Sequence, residues 1–457
     1  QYMAEPLLKA VKDGEIEESL VDEKVRNILR MMLRLKMIGP EKKHRKTGAY
    51  NTEEHRRAVL DVARESMILL KNEDQVLPLQ AESGCKVAVI GANAAAIHSN
   101  GGGSAEIKAL YEISPLMGIK KLLGGNVKVS YAPGYVIPDK KEASEINWQA
   151  ASTETAENTE KESTVSGRTL DEKQQEALAE AVALAKASDI VIFVGGLNHD
   201  FDVEGLDRVN MKLPYGQDEV IDALLKAVPD TVVCMYAGAP VEMPWAEKAK
   251  AILWSYYAGM EGGTALAEIL SGKVNPSGKL AETFIRDASQ CPAHTIGTFG
   301  KKDRVEYREG VMVGYRYYDT KKTDVLFPFG HGLSYTAFTY NDLEIIRQQE
   351  NGRQTVKVSC SVTNTGEHAG KETVQIYVAP EQKKDRPVHE LKAFEKVGLD
   401  AGETKRICVI LEERDFSHYD TDKKMPVPVN GTYEIQVGAS STDICLCGKI
   451  DLFFAEG

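Results

Sequence analysis

Ile190-Val191-Ile192-Phe193-Val194-Gly195-Gly196 is a wholly apolar run, rich in β-branched side chains and closed by two glycines. No polar residue alternates within it, so a strand built from it needs cover on both faces, as strands of a parallel sheet have. Three further runs share its character: Val87-Ala88-Val89-Ile90 upstream, and Thr231-Val232-Val233-Cys234-Met235 and Ala251-Ile252-Leu253-Trp254 downstream. Helical patterns at His55–Leu69, Asp171–Ala187, Gln217–Ala227 and Gly263–Leu270 lie between and around them. The alternation predicts an α/β fold, an open sandwich with helices on both faces of a parallel sheet. Ligands of such sheets collect at the carboxyl ends of the strands, so chemistry is sought in the loops that follow the runs.

Outward from this centre the pattern changes twice. Towards the N-terminus, Leu7, Leu8 and Val11, then Val21, Val25, Ile28, Leu29 and Met32, recur at helical spacing, with Gly14 between the two groups and Gly39-Pro40 after the second. Two such helices carry too little apolar surface to stand as a domain and read as the end of something larger. After Phe338 the period becomes two: Val356, Val358, Cys360 and Val362 alternate with polar residues, as do Val374, Ile376 and Val378, and Tyr433, Ile435 and Val437. About seven short strands with Asn-Gly and Ala-Gly turns predict a β-sandwich of immunoglobulin-like architecture. The expected division is 1–52, 53–337 and 338–457. Tyr135–Thr169, rich in Glu, Lys, Ser and Thr, reads as an exposed, mobile insertion.

Among 457 residues, 68 acidic and 56 basic side chains give a net charge of −12, which repels phosphate backbones and excludes a nucleic-acid partner. No apolar run approaches the roughly 20 residues that span a bilayer. The chain begins at Gln1 without a leader, so its natural N-terminus and any targeting signal are expected upstream. The seven cysteines lack metal spacing; Cys445 and Cys447, like Cys234, Cys360 and Cys408, sit in strand-like runs and read as buried, reduced thiols of a cytoplasmic protein. The nine histidines form no ligand grouping, so neither metal nor cofactor is expected. Nothing in the sequence opposes a homo-oligomer.

Asp200-Phe201-Asp202-Val203-Glu204-Gly205-Leu206-Asp207-Arg208 follows the Ile190 run and crowds four carboxylates into one loop. Like charges so close destabilise one another unless a proton or a cation intervenes, and a loop acid of raised pKa is what protonation of a glycosidic oxygen requires. A solvated acidic loop with Asp207 and Arg208 paired is the plainer alternative. Ser99-Asn100-Gly101-Gly102-Gly103-Ser104-Ala105 follows the Val87 run; its glycines let backbone N–H groups approach a ligand, but no dinucleotide or P-loop spacing is present. A polyol contact and a structural turn both fit. Glu261 opens a helix and is expected to favour its positive end rather than to react. Tyr315-Arg316-Tyr317-Tyr318 and Leu326–Gly330 read as aromatic strand and turn material at a domain junction.

In order along the chain, Leu69-Leu70-Lys71-Asn72 with Leu77-Pro78-Leu79, Gly101–Ala105, Glu204-Gly205-Leu206-Asp207-Arg208 with Leu213-Pro214 and Gln217, Asn275–Leu280, Gly314–Tyr318 and Phe327–Tyr335 resemble glycoside hydrolase family 3 over nearly the whole length. The resemblance implies a (β/α)8-like barrel, an α/β sandwich and a fibronectin type III-like domain, of which this chain holds the last two, residues 1–52 being the final barrel helices and linker. It implies that Glu204 is the acid/base of a retaining glycosidase acting on terminal β-linked sugars, above all β-D-glucosides, with Asp207 and Arg208 shaping the loop and Gly103 and Ser104 near substrate. The nucleophilic Asp would lie on the missing barrel, leaving this chain inactive by itself. A non-catalytic carbohydrate-binding or assembly module is the rival expectation, and nucleotide binding is disfavoured.

Overall fold

A computed structural model describes residues 4–44, 46, 48–138, 167–300, 303–350, 353–381 and 386–454. Residues 139–166 of the expected insertion lie outside the described ones. Its first residue departs from expectation: Tyr135 is buried and stacks on Tyr215 at 6.2 Å. The chain forms two compact units, Gln1–His55 and Arg56–Gly457.

The first unit holds α1 (Glu5–Lys12), with proline in its first turn, and α2 (Glu18–Arg34). Neither buries a residue, and Leu20, Val25, Ile28, Leu29 and Leu33 of α2 are all exposed. Amphipathic spacing made the helices legible, and their apolar stripes are left in solvent.

From α3 (Glu53–Ser66) the chain enters a six-stranded sheet of β1 (Ile68–Asn72), β2 (Lys86–Ile90), β3 (Lys128–Ala132), β4 (Ile190–Gly196), β5 (Val232–Tyr236) and β6 (Ala251–Trp254), in the order β1-β6-β5-β4-β2-β3. Each run is apolar throughout because its alternate residues enter two cores. Ala88, Ile90, Phe193 and Met235 face one side; Val87, Val89, Ile192 and Cys234 face the other. Between the strands come α4 (Ala92–Ala95), α5 (Pro115–Leu123), α6 (Gly167–Lys186) and α7 (Gln217–Ala227), and α8 (Gly262–Leu270) follows the last. Helices α6 and α7 supply Ala181, Val220 and Leu224 to the first core, while α3, α5 and α8 supply Ala63, Ile119 and Leu266 to the second. Each large side chain so buried contributes about 1.5–3 kcal/mol.

Two readings change. The helix expected to reach Leu69 stops at Ser66, and β1 pairs antiparallel with β6, so the sheet is parallel only from β6 to β3. Met67–Leu70 are all at most 1% exposed, and a run buried on every side suits a covered strand better than a one-sided helix. The strand β3, whose Val129 and Tyr131 alternate with Lys128 and Ser130, had no sequence reading of its own.

Beyond α9 (Pro292–Thr295) and α10 (Tyr315–Lys321), β7 opens at Phe338. Tyr315–Tyr318 is thus helical rather than strand and turn. Gly314 starts the helix at φ 59°, and its i, i+3 pair Tyr315 and Tyr318 faces inward. Strands β7 (Phe338–Glu350), β8 (Arg353–Asn364), β9 (Gly370–Pro380), β10 (Glu390–Leu399), β11 (Thr404–Glu412), β12 (Ser417–Asp420), β13 (Met425–Pro428), β14 (Gly431–Gly438) and β15 (Ile444–Leu452) make sheets β10-β9-β14-β15 and β11-β8-β7 and a β12–β13 ribbon. The residues picked by period two, from Val356 to Val437, fill its core. Cys408, Cys445 and Cys447 occupy outward positions on β11 and β15 and are exposed, not buried as expected; Cys234 and Cys360 are buried. An apolar run with alternating exposure has one outward side, which its composition alone hides.

The sandwich is fastened to the α/β layer by buried polar pins. Gln375 donates to Gly330 O at 3.0 Å, Lys279 pairs with Glu372 at 3.0 Å, His389 Nε2 meets Asp319 at 3.0 Å, and the Leu391 N–H donates to the Tyr315 hydroxyl at 2.8 Å.

Candidate active site

Successive strands are added on one side of β2 as β3 and then on the other as β4, β5 and β6. The loops after β2 and β4 therefore part in opposite directions, leaving a crevice at the sheet's switch point. Both loops singled out from sequence emerge there.

The loop after β4 is tied at both ends. Gln217, buried at the start of α7, accepts the Gly196 N–H on Oε1 at 2.8 Å and donates from Nε2 to the Gly196 and Pro214 carbonyls at 2.8 and 3.1 Å. Three of the four carboxylates between these ties go to separate partners and the fourth, Asp207, is exposed to solvent, which relieves the crowding that suggested a proton or a cation. Asp200 accepts the Tyr215 hydroxyl at 3.1 Å. Asp202 accepts the Gly238 N–H at 2.5 Å and the Tyr257 hydroxyl at 3.0 Å. Asp207 is exposed, and among the described residues no ion pair joins it to Arg208, whose Nη2 instead donates to the Pro240 carbonyl at 3.0 Å. Arg208 thus anchors the loop, and Asp207 does not.

Glu204 joins the glycine-rich loop. Gly102 bridges Val203 in parallel, with Gly102 N–H donating to Asp202 O at 3.0 Å and Glu204 N–H to Gly102 O at 3.4 Å. Glu204 Oε2 then accepts the Ser104 N–H at 3.0 Å. Gly103 makes the approach possible: its φ is +77°, and a Cβ there would stand 2.8 Å from Glu204 Cβ. The side chain of Glu204 is exposed, and its Oε1 accepts nothing among the described residues. Gly103, Ser104 and Glu204, chosen from two separate motifs, are in one place.

Behind them lie residues the sequence reading passed over. His98 packs edge-on to His199 at 6.0 Å and near Tyr257 at 6.3 Å, and His199 Nε2 contacts Asn100 O at 2.7 Å. Burial, then the neighbouring His199, pushes His98 down to about 4, so it is neutral at pH 7. Burial and then Asp202 push the Tyr257 hydroxyl well above its ordinary range. The signal available was position: Tyr257 comes three residues after the end of β6 and His199 three after that of β4. Ile97, Ile107 and Leu110 in the segment after β2, and Phe201, Leu206 and Val209 in that after β4, are exposed and give these segments an apolar margin. Glu261 stands at the N-cap of α8, as expected, but its carboxylate accepts the Tyr111 and Thr264 hydroxyls at 2.7 and 2.6 Å instead of a helix N–H.

A doubly wound sheet with an exposed carboxylate over its switch point, braced by a fibronectin-type sandwich, defines the C-terminal architecture of a class of glycoside hydrolases. Residues 67–335 match the Glycosyl hydrolase family 3 C-terminal domain and residues 372–441 a Fibronectin type III-like domain. The chain belongs to glycoside hydrolase family 3. It is 38% identical over 441 residues to thermostable beta-glucosidase B of Acetivibrio thermocellus, covering 96% of this chain and 53% of that protein. It is 34% identical to an exo-alpha-(1->6)-L-arabinopyranosidase of Bifidobacterium breve, covering 97% and 54%. The crystal structure of a beta-glucosidase from Kluyveromyces marxianus in complex with glucose superimposes with a TM-score of 0.80 at 27% identity, covering 99% of this chain and 70% of that one. The chain spans about half the length of the curated relatives it matches.

Proposed function

We propose that this chain supplies the acid/base carboxylate, Glu204, of a retaining glycosidase that hydrolyses terminal β-linked sugars, β-D-glucosides first among them. The observation that carries the reading is Glu204 itself: exposed over the switch point, held by Ser104 N–H on one oxygen and open on the other. In a double displacement the nucleophile is a second carboxylate about 5 Å from the acid. The chain spans about half the length of the relatives above, and by its family resemblance we place the nucleophilic Asp on an N-terminal barrel outside this chain, docked on the apolar margin of Ile97, Leu110, Leu206 and Val209. Glu204 would protonate the leaving oxygen in the first step and activate water in the second. The names of the relatives support glucose, while the arabinopyranosidase shows that one scaffold serves more than one sugar.

In the enzyme with its barrel, Glu204→Ala is expected to lose about 10²–10⁴-fold on a disaccharide and much less in the first step on a dinitrophenyl glycoside. Azide, which needs no base, restores turnover and gives a β-glycosyl azide. The chain by itself is expected to be inactive on aryl β-glucosides. Retaining hydrolysis by the chain alone, above a Glu204→Gln control, refutes the assignment of the nucleophile to a barrel.

A further inference from the structure

Asp202 stands two positions before Glu204, and its contacts join the ends of four strands. Its own loop follows β4. Its carboxylate oxygen Oδ2 accepts the Gly238 N–H, just beyond β5, at 2.5 Å and the Tyr257 hydroxyl, just beyond β6, at 3.0 Å. Its carbonyl accepts the Gly102 N–H, from the loop after β2, at 3.0 Å. The backbone at Gly238 comes so close that a Cβ there would lie 2.8 Å from Oδ2. Hydrogen bonds to a charged acceptor are short and about twice as strong as neutral ones, so one carboxylate with two such donors fixes both its rotamer and its depth. Val203, bridged to Gly102, is the only residue between this anchor and Glu204.

We infer that Asp202 is the positioning residue for Glu204: it locks the loop after β4 against those after β5 and β6, so that the Glu204 carboxylate meets Ser104 N–H in one orientation. This deepens the reading of Glu204 as acid/base and rests on it. The two acids differ in exposure: Asp202 is half-buried with Oδ2 held by two donors, whereas Glu204 is exposed and accepts a single N–H, which favours Glu204 for the acid's own role.

The geometric half is tested on this chain by hydrogen exchange at the Ser104 amide. Ser104 donates to Glu204 and not to Asp202, so a local effect of Asp202 would leave it unmoved. Asp202→Ala is expected to speed exchange at Ser104 about ten-fold, whereas Glu204→Gln should change Ser104 and leave Gly238 as it was. Unchanged exchange at Ser104 in Asp202→Ala overturns the inference. Should that variant fail to fold, Tyr257→Phe, which removes one hydroxyl, carries the test: exchange about three-fold faster supports the inference and an unchanged rate overturns it. The catalytic half uses the enzyme with its barrel. Displacing a catalytic group by about 1 Å is worth up to roughly 10²-fold, so Asp202→Ala should lower kcat by about 10–100-fold with a poor leaving group, leave KM within about three-fold and show no azide rescue, and Asp202→Asn should recover part of the loss. Equal losses in kcat for good and poor leaving groups overturn the positioning role. Azide rescue in Asp202→Ala with Glu204→Ala nearly normal would instead overturn the reading of Glu204.

Discussion

Glu204 Oε2 and the backbone N–H of Ser104 are hydrogen-bonded at 3.0 Å across 100 residues of chain. The bond exists because the loops after β2 and β4 are neighbours at the switch point and because Gly103 has no side chain to hold them apart.

Gly103→Ala should therefore act on Glu204 as well as on the fold. The new methyl meets Glu204 Cβ at 2.8 Å and forces φ +77° on a residue with a Cβ. Destabilisation of about 1–3 kcal/mol is expected, with a loss in kcat for poor leaving groups of about ten-fold or more. Thermal melts and leaving-group dependence check the two effects separately.

Gln217→Met keeps the volume of a buried side chain but strips Gly196 of a donor and an acceptor inside the protein. Each orphaned group costs about 1–3 kcal/mol, so a loss of roughly 2–4 kcal/mol is expected in urea unfolding, at unchanged m.

Two groups should shape stability against pH with opposite signs. Asp218, which accepts the Trp245 Nε1–H at 2.9 Å, is raised by burial from 3.8 to about 6. The folded state binds its proton more tightly, so its contribution is fully present below pH 3.8 and is lost as pH rises through 6. His98 is lowered from 6.5 to about 4, so its contribution is present above pH 6.5 and lost as pH falls through 4. Asp218→Asn is expected to melt higher than the parent at pH 7 and by a smaller margin at pH 4.5. His98→Gln should flatten the acid limb between pH 6 and 4. Melting temperatures across that range decide both.

Lys279 and Glu372 form a nearly buried pair across the junction with the sandwich, and Tyr340 also donates to Glu372 at 3.1 Å. Removing one charge by Lys279→Met strands the other and should cost about 3–5 kcal/mol, while Lys279→Met with Glu372→Gln should recover most of it. Limited proteolysis within 336–341 should release no separable sandwich from the parent. Two independently stable fragments would show that the pins at Gln375 and His389 do not brace the domains.

The residues chosen from sequence differ in what made them legible. Ile190–Val194 and Val87–Ile90 announced covered strands because burial on both faces demands an apolar side chain at every position, a property each run carries within itself. Val356 to Val362 announced a half-covered strand in the same way, by its period of two. The acidic and glycine-rich loops could be placed after strands, and the resemblance to the family, not the spacing, singled out Glu204. Sequence did not disclose that Met67–Leu70 turns from helix to antiparallel strand, that Tyr315 opens a helix, or that Cys445 faces outward. Those outcomes depend on which neighbours cover a run, and a run's composition does not name its neighbours. Only the tertiary structure brought Ser104 to Glu204 and set Asp202 among Gly102, Gly238 and Tyr257. Hydrogen bonds between loops so far apart in the chain have no period to read; they follow from the order β6-β5-β4-β2-β3, which brings those loop ends together at the carboxyl edge of the sheet.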